Sequence, residues 1–181
     1  MEPFLSPAEF AAATNGKVRE DDPRVAPLLA GASQAIRRYC GWHIGPVTSE
    51  TLTLDGPGGD VLVLPTLRLV DVQSLAVLGE SVDVADLEWS ANGEVRRACW
   101  PTRWRSIVIG IEHGFDDYAD VKQVLQQVVG NAISSPLGAT SEQAGQLAVS
   151  WSTTAPGVSG GLSLLDRDLA VLNMYRLPGG A

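Results

Sequence analysis

The chain has 181 residues, 45% of them hydrophobic, and 13 Lys and Arg against 21 Asp and Glu give a formal net charge of −8. That length suits one domain, or one core carrying an insertion, with enough apolar material to bury it. The acidic balance argues against a protein whose main work is gripping nucleic acid, because such affinity comes largely from neutralising phosphates.

The first helix is predicted at Ser6-Pro7-Ala8-Glu9, where serine can cap, proline suits the first helical position and glutamate completes a capping box. Asn15-Gly16 ends it. A stronger helix follows, with Val25, Leu28, Leu29, Ala32, Ile36, Tyr39 and Cys40 recurring at the three- and four-residue steps of one face. Arg37 and Arg38 suit its last turn, and Gly41 can take the left-handed terminating conformation. Pro27 would delete a hydrogen bond if the helix began at Asp22-Pro23, so its regular part is expected to start near Val25.

From Thr48 to His113 the apolar period changes to two. Leu52 and Leu54 alternate with threonines, Val61 to Leu64 is a compact apolar run, and Val70, Val72 and Leu75 follow. Gly56 to Asp60 reads as a hairpin turn between the first two strands. Asn92-Gly93, flanked by Leu87–Trp89 and Val95, predicts a type I′ hairpin. Ile107, Ile109 and Ile111 alternate with Val108 and Gly110, as in a strand buried mostly on both sides.

Helical spacing returns after Asp116-Asp117 through Val121, Val124, Leu125, Val128, Val129, Ala132 and Ile133, and Pro136 stops it. Leu147, Val149 and Trp151 predict one more strand, Thr153 to Gly161 a mobile Gly/Ser/Thr/Pro loop, and Ser163 the cap of a last helix bearing Leu165, Leu169 and Leu172. The expected class is α+β: a helical core of two long helices plus short terminal helices, with an inserted small antiparallel β-sheet. One domain spans 1–181. It comprises helices at 6–41, the inserted sheet at 48–113, a long helix at 116–135, and the late strand, loop and C-terminal helix at 145–181.

No active site emerges from these residues. His43 and His113 lie far apart in sequence and neither belongs to a spaced metal motif. Asp116, Asp117 and Asp120 coincide with a helix start, where negative charge suits the dipole better than it suggests a metal site. Gly56 to Asp60 has no following Lys-Ser or Lys-Thr and does not open a helix, so it is no phosphate cradle. No catalytic residue, metal or cofactor is expected, and the chain is read as a non-enzyme. It has no apolar run long enough to span a membrane and begins Met1-Glu2-Pro3 without the features of a signal peptide, so an intracellular protein with two buried free thiols, Cys40 and Cys99, is expected. One segment stands out: Arg96, Arg97, Trp100, Arg103, Trp104 and Arg105. Arginine interleaved with tryptophan fits a protein-interface hot spot, contact with nucleic acid, or ordinary strand ends with one or two core tryptophans.

Several segments, in order and spacing, carry a family resemblance. They are Ala35 to Trp42 closing the helix, Leu64-Pro65 ahead of Val72 and Leu75, Trp89 with Asn92-Gly93, His113-Gly114-Phe115, and Val149-Ser150-Trp151. Through most of its length, from Asp21 to Leu177, the chain resembles the head–tail connector (adaptor) proteins of long-tailed bacteriophages, especially those of actinobacterial hosts. It departs from them at Tyr118-Ala119-Asp120, where many relatives carry a proline, and at Trp151, which replaces a common tyrosine.

The resemblance implies a structural virion protein at the head–tail interface, assembled in the host cytoplasm. It would form a ring, usually of twelve copies, beneath the portal protein and extend the DNA channel. Its partners would be the portal, copies of itself and the next tail-side protein, with DNA passing through unbound past like charge. The resemblance also suggests a portal contact through the C-terminal helix and its end: Leu165, Leu169, Leu172, Met174, Tyr175, Arg176 and Leu177. Arg96, Arg97, Trp100, Arg103 and Trp104 are candidates for the contact between ring subunits. The alternatives are another head–tail ring component, such as a stopper or tail terminator, and a small DNA-binding module.

Overall fold

The computed structural model describes residues 1–85, 87–134, 141–144, 147–150 and 164–178. It has the expected α+β class, and the chain divides into two compact units. Met1–Tyr39 and Ala119–Met174 form the first; Cys40–Tyr118 and Tyr175–Ala181 form the second.

The first unit is helical. Helix α1, Pro7–Ala13, opens on the expected capping box: Ser6 Oγ accepts from Glu9 N–H at 3.2 Å, and Glu9 Oε2 accepts from Ser6 N–H at 2.7 Å. Hydrogen bonds donated by the Ser6 N–H and hydroxyl to Glu9 Oε2 hold the Glu9 carboxyl below its ordinary pKa. Helix α2, Val25–Cys40, starts where the proline argument put it. Pro27 falls in its first turn, where a missing N–H leaves no intrahelical bond unmade. Val25, Leu29, Ala32, Ile36 and Cys40 are buried along one face, with Ser33 and Arg37 beside them. Ser33 Oγ accepts the Phe4 N–H at 3.1 Å, and the Arg37 guanidinium lies 4.2 Å above the Phe4 ring.

Helix α3, Ala119–Ser134, buries Val121, Val124, Leu125, Val128, Val129 and Ala132, the stripe its periodicity predicts. Asp120 stands in its first turn. Strands β8, Ser141–Ala144, and β9, Leu147–Ser150, pair antiparallel. A late strand was expected at β9; its partner β8 was not. Trp151, the Thr153–Gly161 loop and Pro136 lie outside the described residues. Helix α4, Asp166–Leu172, runs into a 3-10 turn at Asn173–Tyr175. Its N-cap is Leu165, whose N–H is accepted by Asp168 Oδ2 at 3.0 Å. Ser163, the expected cap, lies outside the described residues and precedes the actual cap position.

The second unit holds two antiparallel sheets where one was expected. Strands β1 (Thr48–Leu54), β7 (Ile107–His113), β3 (Leu69–Val77) and β4 (Glu80–Val82) form one in the order β1-β7-β3-β4. Strands β2 (Val61–Val63), β6 (Glu94–Arg96) and β5 (Glu88–Trp89) form the other in the order β2-β6-β5. Ile107, Ile109 and Ile111 of β7 pack with Leu62, Leu64, Val95 and Trp100 in one core cluster. The opposite face of β7 is partly open, because Val108 is exposed; the strand is not buried on both sides.

Two turns differ from expectation. Strands β1 and β2 belong to different sheets, so residues 55–60 cross between sheets and do not close a hairpin. The type I′ turn expected at Asn92-Gly93 is absent, since that turn needs positive φ at both central residues and only Gly93 (φ +86°) has it. Gly93 N–H donates to Ser90 O and Ser90 N–H to Glu94 O, which makes a three-residue loop with glycine in the left-handed position. The type I′ geometry occurs instead at Leu78 (φ +56°) and Gly79 (φ +89°), joining β3 to β4. No turn-forming dipeptide announced it there.

Candidate assembly surfaces

The arginine–tryptophan segment is held by its main chain. Residues 97–105 run beside the 55–60 crossing: Arg97 N–H donates to Asp60 O, Trp100 N–H to Gly59 O, Gly58 N–H to Pro101 O and Gly56 N–H to Arg103 O. A Cβ on Gly56 would collide with the Pro101 carbonyl, so only glycine permits this approach. Arg105 adopts a left-handed φ of +52°, pinned by its N–H to Asp55 Oδ1 at 2.7 Å. Ser106 Oγ donates to Arg103 O at 2.6 Å.

The side chains of this braced segment divide sharply. Trp100 is 1% exposed, belongs to the sheet core and donates its indole N–H to Asp60 O at 3.2 Å. It therefore leaves the group of interface candidates: a ring enclosed by its own chain offers nothing to a partner. Arg97 is half-buried, with its guanidinium 5.8 Å from the Trp100 ring, and Arg96 reaches Glu88 at 4.0 Å. Trp104 is 83% exposed between exposed Arg103 and Arg105. Leu78, 57% exposed on the β3–β4 turn, belongs to the same end of the sheet, since its N–H donates to Ser106 O at 2.7 Å. Sequence reading missed Leu78, for lack of any local signal.

The C-terminal segment behaves differently. Leu172 is fully buried, so it is core and is withdrawn from the portal candidates. Leu165 and Leu169 are half-buried, and Met174 (68% exposed) and Arg176 face solvent. The Tyr39 hydroxyl donates to Asn173 Oδ1 at 2.6 Å. Within the second unit, Trp42 Nε1–H donates to Tyr175 O at 2.7 Å, Leu177 N–H donates to Cys40 O at 2.9 Å, and Tyr175 meets Phe115 edge-on. Gly41, at φ +84° as the left-handed helix end requires, lies against Leu177. Tyr175 and Leu177 are thus packed on their own chain.

The fold also unites the two histidines that sequence separates. Their ring centroids are 5.2 Å apart, with Trp42 6.2 Å from His113. His113 Nε2 lies 3.2 Å from Glu50 Oε2, and its buried Nδ1 has no hydrogen-bond partner. Burial pushes the His113 pKa below its ordinary value, against the opposing pull of Glu50. The His43 Nε2 contacts the Pro46 carbonyl. Both rings are buried, so the pair has the setting of packed core histidines. Among the described residues, no group of three or more His, Cys, Asp or Glu could hold a metal ion, and no helix is long and apolar enough to cross a membrane.

The thiols also differ from expectation. Cys40 is buried, and desolvation pushes its pKa up to about 11, but Cys99 is exposed.

No protein-family model matches the chain, and no curated protein is similar to it in sequence. Solved structures are similar in fold. One is a chain in the neck of an empty gene transfer agent particle, computed with C6 symmetry; it has 16% identity and a TM-score of 0.62, over 97% of this chain and 92% of that one. Another, from the neck of the native particle computed with C12 symmetry, has 14% identity and a TM-score of 0.57, over 99% and 97%.

Proposed function

We propose that this chain is a structural ring subunit of the neck that joins head to tail in a phage-like particle. Within that neck it takes the adaptor position beneath the portal, in twelve copies, as in phages of actinobacterial hosts. The observation that carries this reading is the fold likeness to neck chains along nearly the whole length. Supporting it are an anchor-like tryptophan on a braced turn and side chains suited to packing rather than to chemistry.

In this role the chain extends the DNA channel without catalysis. Its net charge of −8 repels phosphate, so DNA passes without sticking. The Arg103–Trp104–Arg105 turn, with Arg96 and Arg97, serves contact between subunits. The accessible part of the C-terminal segment, Met174 and Arg176 with Leu165 and Leu169, meets the portal, and the next tail-side protein binds the opposite rim.

The test is localisation in the particle. Electron microscopy of particles carrying a tagged copy is expected to show label at the head–tail junction, directly below the portal. Deleting the gene is expected to leave DNA-filled heads without tails. Label one ring lower would make the chain a stopper or tail terminator; label elsewhere would overturn the neck assignment.

A further inference from the structure

The four-stranded sheet has two ends of opposite character, joined by one strand. Strand β7 runs from Ile107 to His113, a span of roughly 20 Å at about 3.3 Å per residue. At its start lie Arg103, Trp104, Arg105 and Leu78. Residues 96–105 contain four arginines and no carboxylate, in a chain with eight more acids than bases. Of the nearby acids, Asp55 already accepts the Arg105 N–H, and Glu80 follows the Leu78-Gly79 turn.

At its far end the sheet is acidic. Asp71 of β3 and Glu112 of β7 stand directly opposite in the register, an arrangement of like charges that costs free energy on an isolated sheet. They share the outer face with Ser49, the cross-strand partner of Glu112, whose Oγ accepts from Gln73 Nε2 at 3.0 Å. Asp116 and Asp117 follow just past the strand, and Arg68 is the cation that precedes β3. Val70, exposed beside Asp71, adds an apolar spot.

The balance at each end differs: one carries an exposed indole with two guanidiniums, the other facing carboxylates beside an exposed valine. Because the ends are different patches of one surface, matching them produces a head-to-tail contact, and such contacts close into rings when the rotation allows. We infer that the Arg103–Trp104–Arg105 turn of one copy docks on the Val70, Asp71 and Glu112 end of the sheet of a second copy. Trp104 covers Val70, and the arginines neutralise the opposed carboxylates. This deepens the ring reading and rests on it for the closure of the contact into a circle.

Charge reversal tests it on the full-length protein. Arg103→Glu with Arg105→Glu reverses one end; Asp71→Arg with Glu112→Arg reverses the other. Sedimentation velocity at low ionic strength is expected to show self-association of the wild type, weakened about tenfold or more in either variant alone. In each variant like charge then faces like charge. An equimolar mixture is expected to recover association, since every contact again joins opposite signs when the two variants alternate. Melting curves close to wild type would establish that both variants fold. If both associate as the wild type does, if the mixture stays monomeric, or if the wild type never associates, the contact is wrong. None of those results bears on whether the chain sits in the neck, which the localisation experiment decides separately.

Discussion

The segments 96–106 and 164–178, both rich in aromatic, leucine or arginine side chains, are held by opposite devices. In the first, backbone hydrogen bonds to the 55–60 crossing fix the chain, which frees Trp104, Arg103 and Arg105 to point outward. In the second, side chains do most of the holding: Leu172 is enclosed, the Trp42 indole binds the Tyr175 carbonyl, and one backbone bond joins Leu177 N–H to Cys40 O. An interface anchor needs both a rigid backbone and an exposed side chain, because the ordering cost is then met before the partner arrives. The first segment satisfies both conditions. In the second, of the residues suggested for the portal contact only Met174 and Arg176 are exposed.

The largest effect expected from this contrast lies within the first segment. Trp100→Ala should lower stability by about 3–5 kcal/mol, as truncation of a fully buried large aromatic does. Trp104→Ala should stay within about 0.5 kcal/mol of wild type, the usual range for an exposed position. Chemical denaturation of the two variants checks both values. Equal losses would mean that Trp104 is also core and would break the contrast.

Next comes the C-terminal helix. Leu172→Ala should cost about 2–5 kcal/mol, whereas Met174→Ala should be near neutral. Thermal melts separate the two outcomes. A Leu172→Ala variant that melts with the wild type would return the leucine to the portal candidates.

The smallest effect concerns pH. The folded state holds His113 below its ordinary pKa of 6.5, so the unfolded chain takes up the proton first as pH falls. The stability associated with neutral His113 is present above about pH 6.5 and declines as pH drops toward the lower folded value. Melting temperature followed between pH 7.5 and pH 5 should fall less steeply in His113→Asn than in the wild type (about 2.5 pH units spanning the ordinary histidine range). Parallel slopes would show that other groups carry the acid sensitivity.

Sequence alone determined what depends on neighbours along the chain. The Ser6–Glu9 capping box, the start of α2 at Val25, the buried stripe of α3 and the glycine at position 41 each follow from spacing of a few residues. Tertiary structure decided everything that depends on distant segments. Trp100 and Trp104 are chemically alike and four residues apart; only the crossing of residues 55–60 and the core beneath it make one a core residue and the other a surface anchor. The separation into two sheets, the left-handed Leu78, the meeting of His43 with His113, and the facing of Asp71 and Glu112 are set by strand order and register. Periodicity reports how a segment divides between apolar and polar faces, but register is fixed by which strand pairs with which, and that is a property of the packed whole.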